Sequence, residues 1–293
     1  MERHQIDGEW ASVLYLDPNF QPVDQSEATM VQVHFDNGRI MFATPTPVKT
    51  LAAESSIQGV AESHEAKFSV AFRYAFARAR KAMKTMRPTI SPTAIVARGE
   101  AAMVEALDEV LPKMLHSVAA DGGQVGLDIL TMRVAAFRAA ADGPFRMRFD
   151  AKNPSVIEWA KRHAAELIKQ ITETTRDRIR LAIEELQEEG DWEFAHDRIL
   201  AAVGDEARAD LIARHETMLA AGEGQRLGWE QAEDQGLLTG KERREWIITD
   251  DERTCPECMA LAGTTALLNG TYVGGIVGPP AHVQCRCTEG IIG

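Results

Sequence analysis

The sequence predicts a mainly α-helical α+β protein with a small N-terminal antiparallel β part, a long helical body and a short, irregular, cysteine-rich C-terminal segment. Three observations carry this. Runs rich in Val, Tyr and Phe, broken by turn residues, occupy the first 50 residues. Apolar residues then recur at three- and four-residue steps over most of the chain, and all four cysteines fall close to its end. The expected division is a strand-rich region at 1–50, a helical region at 51–149 and a third domain at 150–293.

In the first region, Trp10 to Leu16, Met30 to Phe35 and Arg39 to Ala43 read as strands. Asp36-Asn37-Gly38 reads as a hairpin turn, because Asn-Gly supplies the positive φ angles a tight turn requires. Thr44-Pro45-Thr46-Pro47 extends the backbone and ends the sheet as a linker. Helices are then expected near 60–86, 100–119, 124–141, 154–189, 191–203, 205–221 and 224–235. Pro88 and Pro92, Asp121-Gly122-Gly123, Asp142-Gly143-Pro144 and Gly190 separate the earlier ones. The fourth opens with Asn153 as cap and Pro154 at the first helical position, where a missing N–H costs nothing. Its apolar stripe runs from Val156 and Ala160 through Leu167, Ile168 and Ile171 to Ile179 and Leu186. A helix of that length is expected either to break near Thr174-Thr175 or to cross between subunits. Its acidic end, around Glu184, Glu185 and Glu188, reads as a solvated face.

Net charge is −12, which argues against an evenly basic surface for wrapping DNA. One stretch departs from the average. From Lys67 to Arg98 the chain carries Lys67, Arg73, Arg78, Arg80, Lys81, Lys84, Arg87 and Arg98 with no acidic residue, while Phe68, Phe72, Phe76, Ala79 and Met83 mark an apolar face. Arg73, Arg78, Arg80, Lys81 and Lys84 are therefore candidate contacts for a partner or for nucleic acid, against the plainer reading of a solvated basic face. No stretch approaches the roughly 20 apolar residues that span a bilayer. Nothing after Met1-Glu2-Arg3-His4-Gln5 resembles a secretory signal.

The cysteines stand as Cys255-Pro256-Glu257-Cys258 and, after His282-Val283-Gln284, as Cys285-Arg286-Cys287. Two short ligand pairs and a histidine supply the thiolates and imidazole of a tetrahedral zinc site, so a structural zinc is the expected cofactor and the segment reads as knuckle-like. Two disulfides, or free buried thiols, are the competing readings. Five candidates compete for four places. Cys255, Cys258, His282 and Cys285 are the favoured set, with Cys287 as substitute.

The run from Trp246 through Asp250, Asp251, Arg253 and Thr254 to Cys255-Pro256-Glu257-Cys258, with Gly263 and Pro279-Pro280-Ala281-His282-Val283-Gln284-Cys285-Arg286-Cys287-Thr288, resembles the closing signature of the phage Mu F-like minor head proteins. Upstream, Ile212-Ala213-Arg214-His215-Glu216-Thr217 is similar to that family's Ala-Arg-Thr-Glu helix, with His215 where a threonine is usual. The resemblance covers about residues 150 to 293. It implies a minor capsid or head morphogenesis protein of a tailed phage or prophage, made in the host cytoplasm and carried inside the virion near the portal vertex. Portal or major capsid protein would be its partners, with packaged DNA a further candidate.

Enzyme signatures fail on specific residues. The second histidine of a helical zinc protease motif falls at Leu219 after His215-Glu216 and at Phe68 after His64-Glu65. Gly236 to Glu242 lacks the spacing and hydroxyl of a phosphate loop and reads as a turn opening a helix. There is no deaminase signature and no nucleophile elbow. Arg214, Glu216, Asp251, Arg253 and Arg286 remain as polar candidates, with Arg253 and Arg286 placed beside the proposed ligands to offset thiolate charge or to fork onto a carboxylate such as Glu216. They read as a structural ion pair rather than a catalytic one, and a site closed by four protein ligands leaves no position for substrate. The alternative is an enzyme or toxin-carrier module acting on nucleotides or nucleic acid, because similar modules also stand ahead of toxin domains.

Overall fold

The computed structural model describes residues 2–6, 9–16, 30–35, 40–43, 56–85, 92–138, 147–189, 195–238, 241–249 and 251–292. The Asp36-Asn37-Gly38 turn, the Thr44 to Pro47 linker, Asp142-Gly143-Pro144 and Gly190 lie outside them. The chain forms two compact units, Met1–Ser56 with Leu127–Arg148, and Ile57–Gly126 with Phe149–Gly293. The first contains strands β1 (Glu2–Ile6), β2 (Glu9–Leu16), β3 (Met30–Phe35) and β4 (Ile40–Ala43). They pair antiparallel in chain order, with Val13 opposite Val33 and Val33 opposite Met41.

The second unit is built on helices α1 (Ile57–Lys84), α2 (Pro92–Leu107), the first half of α3 (Leu111–Arg138), α4 (Pro154–Glu189), α5 (Ala195–Ala202) and α6 (Glu206–Asp234). α1 packs lengthwise against α6 and α2, so the helical region expected as a separate stretch at 51–149 instead shares a core with the C-terminal part. The face marked by periodicity is the buried one: Phe68, Phe72, Phe76, Ala79 and Met83 are all inaccessible. In α4, Val156, Ala160, Ala164, Leu167, Ile168, Ile171 and Ile179 are buried along one stripe. The helix does not break at Thr174-Thr175. The hydroxyls of Thr172, Thr174 and Thr175 donate to the carbonyls of Lys169, Gln170 and Ile171 at 2.8, 2.7 and 2.7 Å, so their polar groups are satisfied within the helix itself.

Several expected boundaries move. Pro92 opens α2 rather than separating helices, as its locked φ allows at a first helical position. The stretch expected as one helix at 100–119 divides between α2 and α3. Asp121-Gly122-Gly123 runs through the middle of α3, and the helices expected at 205–221 and 224–235 are the single α6. These glycines serve a crossing, not a break. A Cβ on Gly224 would lie 2.0 Å from the carbonyl oxygen of Ala119, one on Gly122 2.3 Å from that of Ala221, and one on Gly228 2.6 Å from that of Gly123. Only glycine lets the two backbones come this close. Gly224→Ala in an open helix would add up to about 1 kcal/mol of stability. Here it is expected to cost about 2 to 3 kcal/mol, because backbone atoms must separate. Urea denaturation of the two proteins checks the sign.

The C-terminal segment sets its irregular cysteine turns on a small sheet. Gly236, at φ +72°, closes α6: its amide bonds Glu233 O at 2.8 Å while that of Leu237 reaches back to Ala232 O at 2.9 Å. The chain then enters a strand and not the helix expected there. β5 (Arg243–Ile247) pairs antiparallel with β6 (Thr265–Leu267) on one side and β7 (Thr288–Ile292) on the other, and α7 (Pro256–Leu261) lies between β5 and β6 in sequence. No described helix is long and apolar enough to cross a membrane.

Candidate metal centre

Two tight turns bring the cysteine pairs together. Cys255 is the extended residue before α7, Pro256 takes the first helical position, and the Cys255 Sγ accepts the Cys258 amide at 3.3 Å. The second turn closes through the Cys285 amide to His282 O at 3.1 Å, with Gln284 in the left-handed region at φ 64°. The His282 Nε2 then lies 3.1 Å from both the Cys255 and Cys258 sulfurs, and the Cys258 and Cys285 sulfurs are 3.7 Å apart. The five donors form two triads, Cys255-Cys258-His282 and Cys258-Cys285-Cys287, each with its ligand atoms within 4.8 Å of one another. Cys258 belongs to both. All four cysteines are free thiols, so the two-disulfide reading is not the one the chain adopts.

The donor set fits a metal ion. Two thiolates on one zinc at about 2.3 Å each stand just under 4 Å apart in a tetrahedron, close to the Cys258 to Cys285 separation. His282 Nδ1 bonds Val283 O at 2.8 Å, which leaves the lone pair of Nε2 facing the sulfurs. The space among the donors is about 20 Å³, enough for an ion or one water. The thiols are differentiated. A hydrogen bond from the Cys287 thiol, together with the Cys287 and Ala281 amides, draws the Cys285 thiol down to about 5, and Cys287 is correspondingly pushed up. Burial pushes Cys258 up to about 12.

A small core holds the turns. Trp246, Leu261, Ala266 and Tyr272 pack with the three buried cysteines, and the Trp246 and Tyr272 rings meet edge-on at 5.2 Å. Asp251 grips Arg286 with two bonds of 2.6 and 2.8 Å, which holds its carboxyl well below the usual range, and Arg253 stands 3.5 Å from the same carboxylate. Gln58 on α1 donates to Arg286 O at 2.6 Å, fixing the second turn to the helical body.

Residues 163–289 match the family model of phage Mu protein F like proteins, a family of phage head morphogenesis proteins. This part of the chain is a Mu F-like domain. No curated protein and no solved structure gave a match.

Within the Mu F-like domain the remaining polar candidates separate. Arg253 and Arg286 do not reach Glu216. That carboxylate lies on the face of α6 turned toward α4 and is buried there at 2.6 Å from His163 Nε2, whose ring stacks on Trp159. Arg214 points outward to Glu65 at 3.1 Å. A different ion cluster, absent from the sequence reading, ties α6 to the cysteine-bearing module. Arg244 on β5 is 1 % exposed, Glu289 on β7 is 4 % exposed, and they meet at 2.6 Å. Arg226 on α6 adds a bond of 3.3 Å to Glu289 and one of 2.5 Å to Glu223. Arg244 also donates to the carbonyls of Leu267, Val277 and Gly270 at 3.3, 2.8 and 2.5 Å. Period-two spacing in Arg243-Arg244-Glu245-Trp246-Ile247 was the available signal, since it places Arg244 on the same face as Trp246.

Outside the Mu F-like domain, the basic residues of α1 do not act together. Arg73 forks onto Asp210 at 2.8 and 2.9 Å and approaches Glu206 at 3.3 Å, and Arg80 donates to Gly204 O. Arg78 pairs with Glu105 at 3.2 Å. Lys81 and Lys84 in the last turn are exposed.

Proposed function

We propose that this protein is a minor capsid protein that docks on the portal or inner capsid surface and assists head assembly through contacts rather than catalysis. The match to phage Mu protein F like proteins carries the reading. In it, Cys255, Cys258, His282 and Cys285 hold a structural zinc and Cys287 serves as a neighbouring donor to Cys285. A zinc held by four protein ligands supplies folding energy and has no free position for water. The clustering of two ligand pairs 27 positions apart around about 20 Å³ supports this assignment. Portal or major capsid protein is the partner, and the place of action is the capsid interior near the portal vertex.

Cosedimentation of the purified chain with portal-bearing heads, followed by metal analysis of the chain itself, tests the proposal. Stable association and about one zinc per chain are expected. Association with heads that lack portal as readily as with those that have it would remove the portal assignment. The His163–Glu216 pair, half-buried at His163 and buried at Glu216, favours a second, enzymatic reading, because such a pair can act as a general base. Turnover of a nucleotide or nucleic acid by the purified chain, lost in Glu216→Gln at unchanged stability, would establish that reading in place of the first.

A further inference from the structure

The ion pairs of α1 leave only part of its charge available. Arg73 is held by Asp210 and Glu206, and Arg80 by the Gly204 carbonyl. What remains open is a groove of about 660 Å³ between the C-terminal half of α1 and α2. Alanines 77, 82, 101 and 102 form its floor and keep it free of bulky side chains. Lys81 on one wall and Arg98 on the other have no carboxylate partner among the described residues, and Lys84 lies one turn beyond Lys81. Glu105, the acidic group in the lining, is already engaged by Arg78. The Tyr74 ring is 56 % exposed at the same groove, with the Arg78 guanidinium 5.9 Å from its centroid.

We propose that this groove binds a nucleic-acid strand: Lys81, Lys84 and Arg98 take its phosphates and the exposed Tyr74 ring, backed by Arg78, stacks on a base. Unpaired cations along a groove beside an open aromatic face are the chemistry that holds single strands without sequence preference. A net charge of −12 on the whole chain confines attraction to this patch, so the footprint is short and sensitive to salt. The site uses different residues from the metal module and does not depend on head assembly.

The test is fluorescence anisotropy of the full chain with a labelled oligothymidylate and with a labelled duplex of equal length. Three phosphate contacts on a single strand give a slope of about −2 in log affinity against log salt, roughly a twentyfold loss on raising salt fourfold. Lys81→Gln/Lys84→Gln/Arg98→Gln is expected to abolish most of that slope and to weaken binding at least about tenfold. Tyr74→Ala is expected to weaken single-strand binding about tenfold with the slope retained. Arg73→Gln, already paired within the fold, is expected to leave affinity unchanged, with thermal melts confirming that each variant is folded. Equal affinity of the triple variant and the parent, tighter binding of duplex that ignores Tyr74→Ala, or tighter binding of a polyglutamate peptide than of the oligonucleotide would overturn the assignment. None of these results bears on portal docking, which cosedimentation reads separately.

Discussion

Cys258→Ser, or chelation of the parent, is expected to unfold the C-terminal module while leaving the long helices in place. Cys258 belongs to both ligand triads, so every choice of four that contains a complete triad includes it. Structural zinc contributes on the order of 10 kcal/mol in small domains, more than the packing of one short helix and a three-stranded sheet supplies. Cys258 also packs with Trp246 and Tyr272, so the near-ultraviolet dichroism of these rings should collapse on metal removal while helical signal persists. Cys287→Ser is expected to retain the ion and Cys285→Ser to lose it. A Cys258→Ser protein with the metal content and denaturation midpoint of the parent would refute the assignment.

Glu289→Gln is expected to cost about 3 to 5 kcal/mol, the usual penalty when one partner of a buried ion pair is removed. Arg244, 1 % exposed, would keep its carbonyl partners but lose the one carboxylate it reaches among the described residues, and Arg226 would retain Glu223. The double change Arg244→Met/Glu289→Leu should recover much of the loss, because apolar groups of similar volume can replace a buried pair at little cost. Urea denaturation across this cycle gives the coupling. A loss below about 1 kcal/mol for the single change would mean that the pair is solvated and does not tie α6 to the metal module.

The clustering of the candidate metal ligands was legible because short cysteine spacings encode a local turn. The pairs Cys255/Cys258 and His282/Cys285 each depend on a few neighbouring residues, and only their meeting needed the fold. The apolar faces of α1 and α4 were legible for a similar reason, since a period near 3.6 is written in consecutive positions. The Gly122 and Gly224 region was misread as two breaks because glycine has a low helix propensity, and nothing local records that another backbone stands 2 to 3 Å from where a Cβ would be. β5 was missed because charged residues occupy three of the five positions in Arg243-Arg244-Glu245-Trp246-Ile247, which reads as exposed. Arg286 forks onto Asp251 and not onto Glu216, because the fold carries Asp251 to it from 35 positions away, whereas Glu216 faces His163.

The sequence by itself determined the donor types, the helical periods and the caps, because these depend on interactions between residues a few positions apart. Only the tertiary structure decided which charges stay free. Arg73, Arg80, Arg244 and Glu289 all find partners that are distant in sequence, while Lys81 and Arg98 are left facing an open groove. A charge is neutralised by whatever the packed backbone carries to within about 3 Å of it, and that distance is set by helix crossings and strand register rather than by neighbours along the chain.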